Sequence, residues 1–204
     1  MKESIFFYIN DSENIELERE ISSKKFYLFE EVRVILNSNN KKYILYEKDF
    51  MCEAIRRFRN LLEEVVAGKL ELHSSLKKGK LGFYWNEYCA DRSGLVMIQG
   101  EQGKYWVGLR HLLWCSNRGF ATWLYNENGE IVLEVTLAPT YKWHFTEPLK
   151  GDKSYIRYSK FRKNYKTTYV KKIPLNIAQT WLAQSNNIIN DMTECYPEDE
   201  EYDD

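Results

Sequence analysis

The chain is poor in the features that usually announce a function. It has no apolar run of 18 residues, so no transmembrane helix is expected and no membrane partner either. The N-terminus, Met-Lys-Glu-Ser-Ile-Phe-Phe-Tyr, lacks a small-residue cleavage site after its short apolar patch, and reads as a strand rather than a signal peptide. Cys52, Cys89, Cys115 and Cys195 are widely spaced, with no CxxC pair. Without a secretion signal this pattern implies reduced thiols in a cytoplasmic protein, and argues against a metal held through them. There is no Gly-x-Ser-x-Gly, no phosphate-binding loop, no His-Glu-x-x-His and no dinucleotide fingerprint. His73, His111 and His144 are far apart in sequence, so nothing fixes a metal site or a general base. No cofactor, metal or catalytic set is expected. Nor does an internal repeat or a linker divide the chain.

What is present is aromatic and charged. Aromatics make up 15% of the 204 residues, and charged residues 29%. The net charge of −1 hides an asymmetry, because Glu194–Asp204 holds seven acids and no base. The rest of the chain keeps 29 basic against 23 acidic residues, about +6. A charged segment with so little to bury cannot offset its ordering entropy, so 194–204 is expected to be a disordered acidic tail on one globular domain, 1–193.

Residues 104–143 hold four of the six tryptophans, and Asn128-Gly129 is a strong hairpin signal because a type I′ turn needs positive φ at both central residues. A two-residue turn there sets a register. Glu127 opposes Glu130, Tyr125 opposes Val132, Trp123 opposes Glu134 and Ala121 opposes Thr136. Leu124 with Leu133 and Thr122 with Val135 lie on the other face. The stretch 104–115 reads as a preceding strand. Further strands are expected at 4–9, 26–36 and 43–46, with short ones near 70–76, 82–88 and 95–98, and a weak helix around 15–21.

Asp49 to Ala67 has the spacing of an amphipathic helix, with Phe50, Ala54, Phe58, Leu61, Leu62 and Val65 as its stripe. Asp49 is placed as its N-cap and Gly68 as its terminator. Residues 154–165 suggest a second helix, and a third runs from Pro174 to about Ile189. The fold class is therefore α+β, a mainly antiparallel sheet of short strands with about three helices packed on it.

Three constellations could carry function. On a continuous strand, Trp106, Arg110 and Trp114 share one side. With Trp123 and Glu134 they form a candidate partner-binding face, since Trp and Arg dominate interface energetics. The competing reading is a sheet covered on both faces. Glu134, an acid predicted opposite a tryptophan, could have a raised pKa and act in proton transfer, though such an acid more often reaches an edge or a cation. Arg56, Arg57 and Arg59 read as a solvated helix face, paired by Glu53–Arg57 and Arg59–Glu63.

The third constellation is 150–172, with nine basic residues and one acid. Arg157, Lys160, Arg162, Lys163 and Lys166 alternate there with Tyr158 and Tyr165. That is the composition of a nucleic-acid surface, in which cations meet phosphates and rings stack on bases. It is also the composition of an amphipathic helix whose aromatics bury while its lysines snorkel.

The motifs Trp-x-Gly (106–108), Leu-Leu-Trp (112–114), Thr-Trp-Leu-Tyr-Asn (122–126), Gly-x-Ile-x-x-Glu-Val-Thr (129–136) and Tyr-x-Trp (141–143) resemble small bacterial proteins of the polymorphic-toxin immunity type. The resemblance covers about 40 central residues. It implies a cytoplasmic, non-catalytic protein-binding module that covers the site of a cognate toxin. It assigns no role to any residue. Nucleic-acid or phosphate-ligand binding through 150–172 is the alternative.

Overall fold

The computed structural model describes residues 3–20, 25–89, 94–101, 103–116, 120–137 and 158–193, apart from the side chains of Lys48 and Tyr158. In chain order, β1 (Glu3–Asn10), β2 (Glu13–Arg19), β3 (Phe26–Tyr27), β4 (Glu31–Ser38) and β5 (Lys41–Phe50) lead into helix α1 (Met51–Val66) and helix α2 (Leu81–Cys89). Then come β6 (Met97–Gly100), β7 (Gly103–Trp106), a 3-10 turn (Val107–His111), β8 (Leu112–Cys115), β9 (Phe120–Glu127) and β10 (Glu130–Leu137). Helix α3 (Tyr158–Asn164), β11 (Tyr169–Ile173), helix α4 (Leu175–Asn190) and β12 (Met192–Thr193) complete the fold. Two four-stranded antiparallel sheets dominate, in the orders β1-β2-β4-β5 and β11-β10-β9-β8. The fold is α+β and mainly antiparallel, and no described helix is long and apolar enough to cross a membrane.

Period-two patterning builds the first sheet. On β2, Ile15 and Leu17 are fully buried while Glu16 and Glu18 take the other face, so the segment read as a weak helix is a strand. The hairpin β4–β5 closes through Asn39 and Asn40 at φ 51° and 59°, with Ser38 opposite Lys41. Asn is the non-glycine residue that enters this region most readily, and the turn is two residues long. At the free edge of β1, helix α4 supplies donors that end the sheet. Trp181 Nε1 gives its hydrogen to the Tyr8 carbonyl at 3.0 Å, and Gln184 Nε2 to that of Phe6 at 3.3 Å.

The second sheet carries the Asn-Gly hairpin in the register set out above, Glu127 to Ala121 against Glu130 to Thr136. Asn128 and Gly129 sit at φ 53° and 78°. Leu124, Leu133 and Val135 point into a core shared with the inward face of the first sheet, α1 and α4. Helix α1 buries Ala54, Phe58, Leu61, Leu62 and Val65 there, and each such side chain contributes about 1.5–3 kcal/mol of transfer free energy, alanine less. Its last turn is held from the strand opposite, where Asn126 Nδ2 donates to the Val65 carbonyl at 2.9 Å. Gly68 follows at φ 67°, the expected terminator, but the N-cap residue is Phe50, and Asp49 belongs to β5.

Several expectations fail locally, among them the short strand near 70–76, where only Glu71 forms an isolated bridge to Asn126. Residues 82–88 form part of α2 rather than a strand. The stretch 104–115 is not one strand but β7, a 3-10 turn and β8. The break centres on Gly108, where an added Cβ would lie 2.2 Å from the Trp106 ring. The indole folds back over that glycine, and the turn destroys the alternation that would have aligned Trp106, Arg110 and Trp114.

Candidate functional site

The outer face of the hairpin β9–β10 is covered by α2, and the covering is organised by Glu134. This carboxylate is fully buried. Its Oε2 accepts from the Gly79 amide at 2.8 Å and from the Tyr125 hydroxyl at 2.8 Å, and its Oε1 accepts from the Leu81 amide at 3.0 Å. An acid on a strand thus serves the N-terminus of a helix, where backbone N–H groups lack partners and the dipole favours negative charge. Burial pushes the Glu134 carboxyl above the usual carboxylate range, against the pull of Tyr125 and the backbone amides. Burial and the nearby Glu134 charge push the Tyr125 hydroxyl upward in turn, which keeps it a donor. Gly82 makes the close approach possible, since a Cβ there would lie 1.8 Å from Thr136 Cγ2.

This arrangement corrects most of the partner-binding face read from the sequence. Trp106 and Trp123 are 0% exposed, Trp114 is 3% and Glu134 is 0%. Trp106 stacks on Tyr88 at 5.7 Å, and Trp114 Nε1 donates to the Ala54 carbonyl at 3.1 Å. Both faces of the sheet are covered, so these four residues belong to the interior. Arg110 alone of the five is exposed. His111, beside it, is buried edge-on to Tyr125 at 6.0 Å, and burial and the Arg110 charge push its ring down to about 4. His73 is held by Ser75 at 2.8 Å, and His144 lies outside the described residues. Among the described residues no three His, Cys, Asp or Glu side chains converge to hold a metal.

Helix α3 presents the basic segment. Its described aromatic, Phe161, turns inward, as does Tyr165 just beyond the helix. Phe161 is buried and stacks on Phe83 at 5.4 Å, and Tyr165 meets Phe83 at 5.6 Å and Thr136 at 3.2 Å. Lys160, Arg162, Lys163 and Lys166 are all exposed. Arg157 lies outside the described residues, and Tyr158 opens the helix.

The fold adds cations that sequence proximity could not assign. Thr167 donates to the Gly79 carbonyl, and Lys80 Nζ lies 5.5 Å from the centre of the Tyr165 ring. These contacts bring the turn carrying Lys77 and Lys80, both exposed, alongside α3. Lys77, Lys80, Lys160, Lys163 and Lys166 form no ion pair among the described residues, whereas Lys78 is paired with Glu127 at 3.0 Å. Phe83, Phe161 and Tyr165 pack together, and Lys80 lies over the Phe83 and Tyr165 rings.

A groove of about 390 Å³ at the other end of the hairpin is lined by Val65, Ile131, Pro174 and Leu175. Its Lys172 is matched by Glu130 at 2.6 Å, so its rim is charge-balanced there. No family model, curated protein or solved structure matches this chain.

Proposed function

We propose that the chain is a non-catalytic protein-binding module whose partner presents an acidic surface to the cations of α3 and the 77–80 turn. The observation that carries this reading is a set of five exposed lysines without acidic partners among the described residues, one of them, Lys80, lying over the Phe83 and Tyr165 rings. Complementary charge raises the association rate and orients encounter. The buried acid within the aromatic block, Glu134, is already engaged by two amides and a phenol, which supports a scaffold role over a catalytic one. The resemblance to toxin-immunity proteins is in keeping with this, and makes the chain a cytoplasmic cover for a toxin.

The same cations support a second reading, phosphate contacts to nucleic acid. Against base stacking, the described rings of the segment are turned into the protein, and Phe161 is 4% exposed. What remains is sequence-independent electrostatic binding, which falls steeply with salt.

The test is capture from the protein's own cell extract, with and without nuclease, using the full chain and a Lys160→Glu, Lys163→Glu, Lys166→Glu variant. The protein reading expects one protein retained after nuclease by the native chain and lost by the variant. Recovery of nucleic acid alone, abolished by nuclease, would favour the second reading.

A further inference from the structure

Arg57 lies on α1 four residues after Glu53, and its side chain does something other than pair along the helix. Its Nε donates to the Leu112 carbonyl at 2.8 Å. Its Nη2 donates to the same carbonyl at 2.6 Å, to Leu109 at 3.2 Å and to Arg110 at 3.3 Å. These carbonyls close the 3-10 turn, and the guanidinium fork serves them from one side. Nη1 keeps its two hydrogens without a partner among the described residues. By contrast, Arg59 forms the expected helical pair with Glu63 at 3.0 Å.

The unused side of Arg57 borders a polar notch of about 310 Å³, lined also by Arg110, Tyr105, Glu64, Leu61 and Leu109. Burial pushes the Arg57 guanidinium below its ordinary value, and the Glu64 charge opposes that shift. Arg57 and Arg110 both line this notch, and the Arg57 guanidinium is partly desolvated. An oxyanion seated on the arginine side of the notch, away from Glu64, gains attraction from both guanidinium groups and supplies an acceptor to Nη1 and to Arg110. Arginine's planar fork suits carboxylate and phosphate oxygens alike.

We propose that this notch is an oxyanion-binding site, in which Arg57 Nη1 and the Arg110 guanidinium hold a carboxylate or phosphate group and Tyr105 borders it. The site stands on different elements from the lysine face of α3 and does not depend on a macromolecular partner.

The probes are inorganic phosphate and succinate, titrated into the full chain at constant ionic strength while the arginine Nε resonances are followed by NMR. The expected result is a saturating shift of Arg57 and Arg110 with at least one probe, and the probe that saturates identifies phosphate or carboxylate as the ligand chemistry. Arg110→Gln should weaken the affinity about tenfold, the loss of one charged hydrogen bond. Arg110→Lys should fall between, since it keeps the charge and loses the fork. Tyr105→Phe leaves both guanidinium groups in place and should weaken the affinity by less than Arg110→Gln. Shifts that rise linearly with both probes, or saturation unchanged in Arg110→Gln, would overturn the proposal. So would an equal loss of affinity in the triple α3 variant.

Discussion

Around Glu134 the acid and the donors that reach it are spent on the protein itself, while the buried Trp106 Nε1, Trp123 Nε1 and His111 Nδ1 nearby have no partner among the described residues. The carboxylate holds two amides and a phenol, and Trp114 is tied to α1. On α3, at Lys166 just beyond it and on the 77–80 turn, five lysines are exposed and form no ion pair among the described residues, and Lys80 lies over the Phe83 and Tyr165 rings. Both regions combine aromatics with charge. They differ in which part faces water, and this decides whether a substitution attacks folding or binding.

The largest effect should come from the spent region. Glu134→Ala leaves buried amides of Gly79 and Leu81 and the Tyr125 hydroxyl unsatisfied, and should cost about 3–5 kcal/mol in a urea titration. Tyr125→Phe removes one of those bonds and should cost about 1–2 kcal/mol. Gly82→Ala forces a methyl against Thr136 and should cost about 1–3 kcal/mol by overpacking. If Glu134→Ala melted like the native chain, the distinction between spent and spare regions would fail.

Acid titration sharpens the same contrast with a second buried glutamate. Glu13 accepts from Lys171 at 2.6 Å and Asn10 at 2.8 Å, and also from Ser38. Burial opposes its charge, but these bonds, Lys171 first, hold its carboxyl down to about 2. A depressed folded value means that its contribution is present above the ordinary carboxylate range and lost as pH falls toward 2. Glu134 shifts the other way, so its contribution is greatest in acid and declines as pH rises through its raised value. Glu13→Gln should therefore flatten the acid limb of a stability–pH curve, and Glu134→Gln the limb above it. Equal effects of the two on the acid limb would contradict these assignments.

Much of this fold was legible because local rules and burial agree. The Asn-Gly turn admits one register, and the stripes of α1 and α4 carry helical spacing. The failures have physical causes. Residues 81–89, Leu-Gly-Phe-Tyr-Trp-Asn-Glu-Tyr-Cys, are rich in strand formers, yet they are helical because Glu134, 53 residues from Leu81, supplies acceptors at the helix start. No local pattern contains that bond. The alternation Ile15-Glu16-Leu17-Glu18 was visible and was outweighed by the polarity of its surroundings. Trp106, Arg110 and Trp114 had the spacing of one strand face, but Gly108 allowed the indole to fold back and broke the period. The α3 cations were readable by composition, whereas Lys77 and Lys80 joined them only through tertiary contact, with the long aromatic run after Lys80 as the one available hint.

The smallest effect on folding should come from the spare region, and there the account is most exposed. The decisive measurement pairs urea stability with partner retention for the Lys160→Glu, Lys163→Glu, Lys166→Glu variant. Stability within about 0.5 kcal/mol of the native chain, together with loss of the protein partner, is the expected result. A variant that keeps its partner at wild-type stability, or one that unfolds, would contradict the claim that this face is held ready for binding.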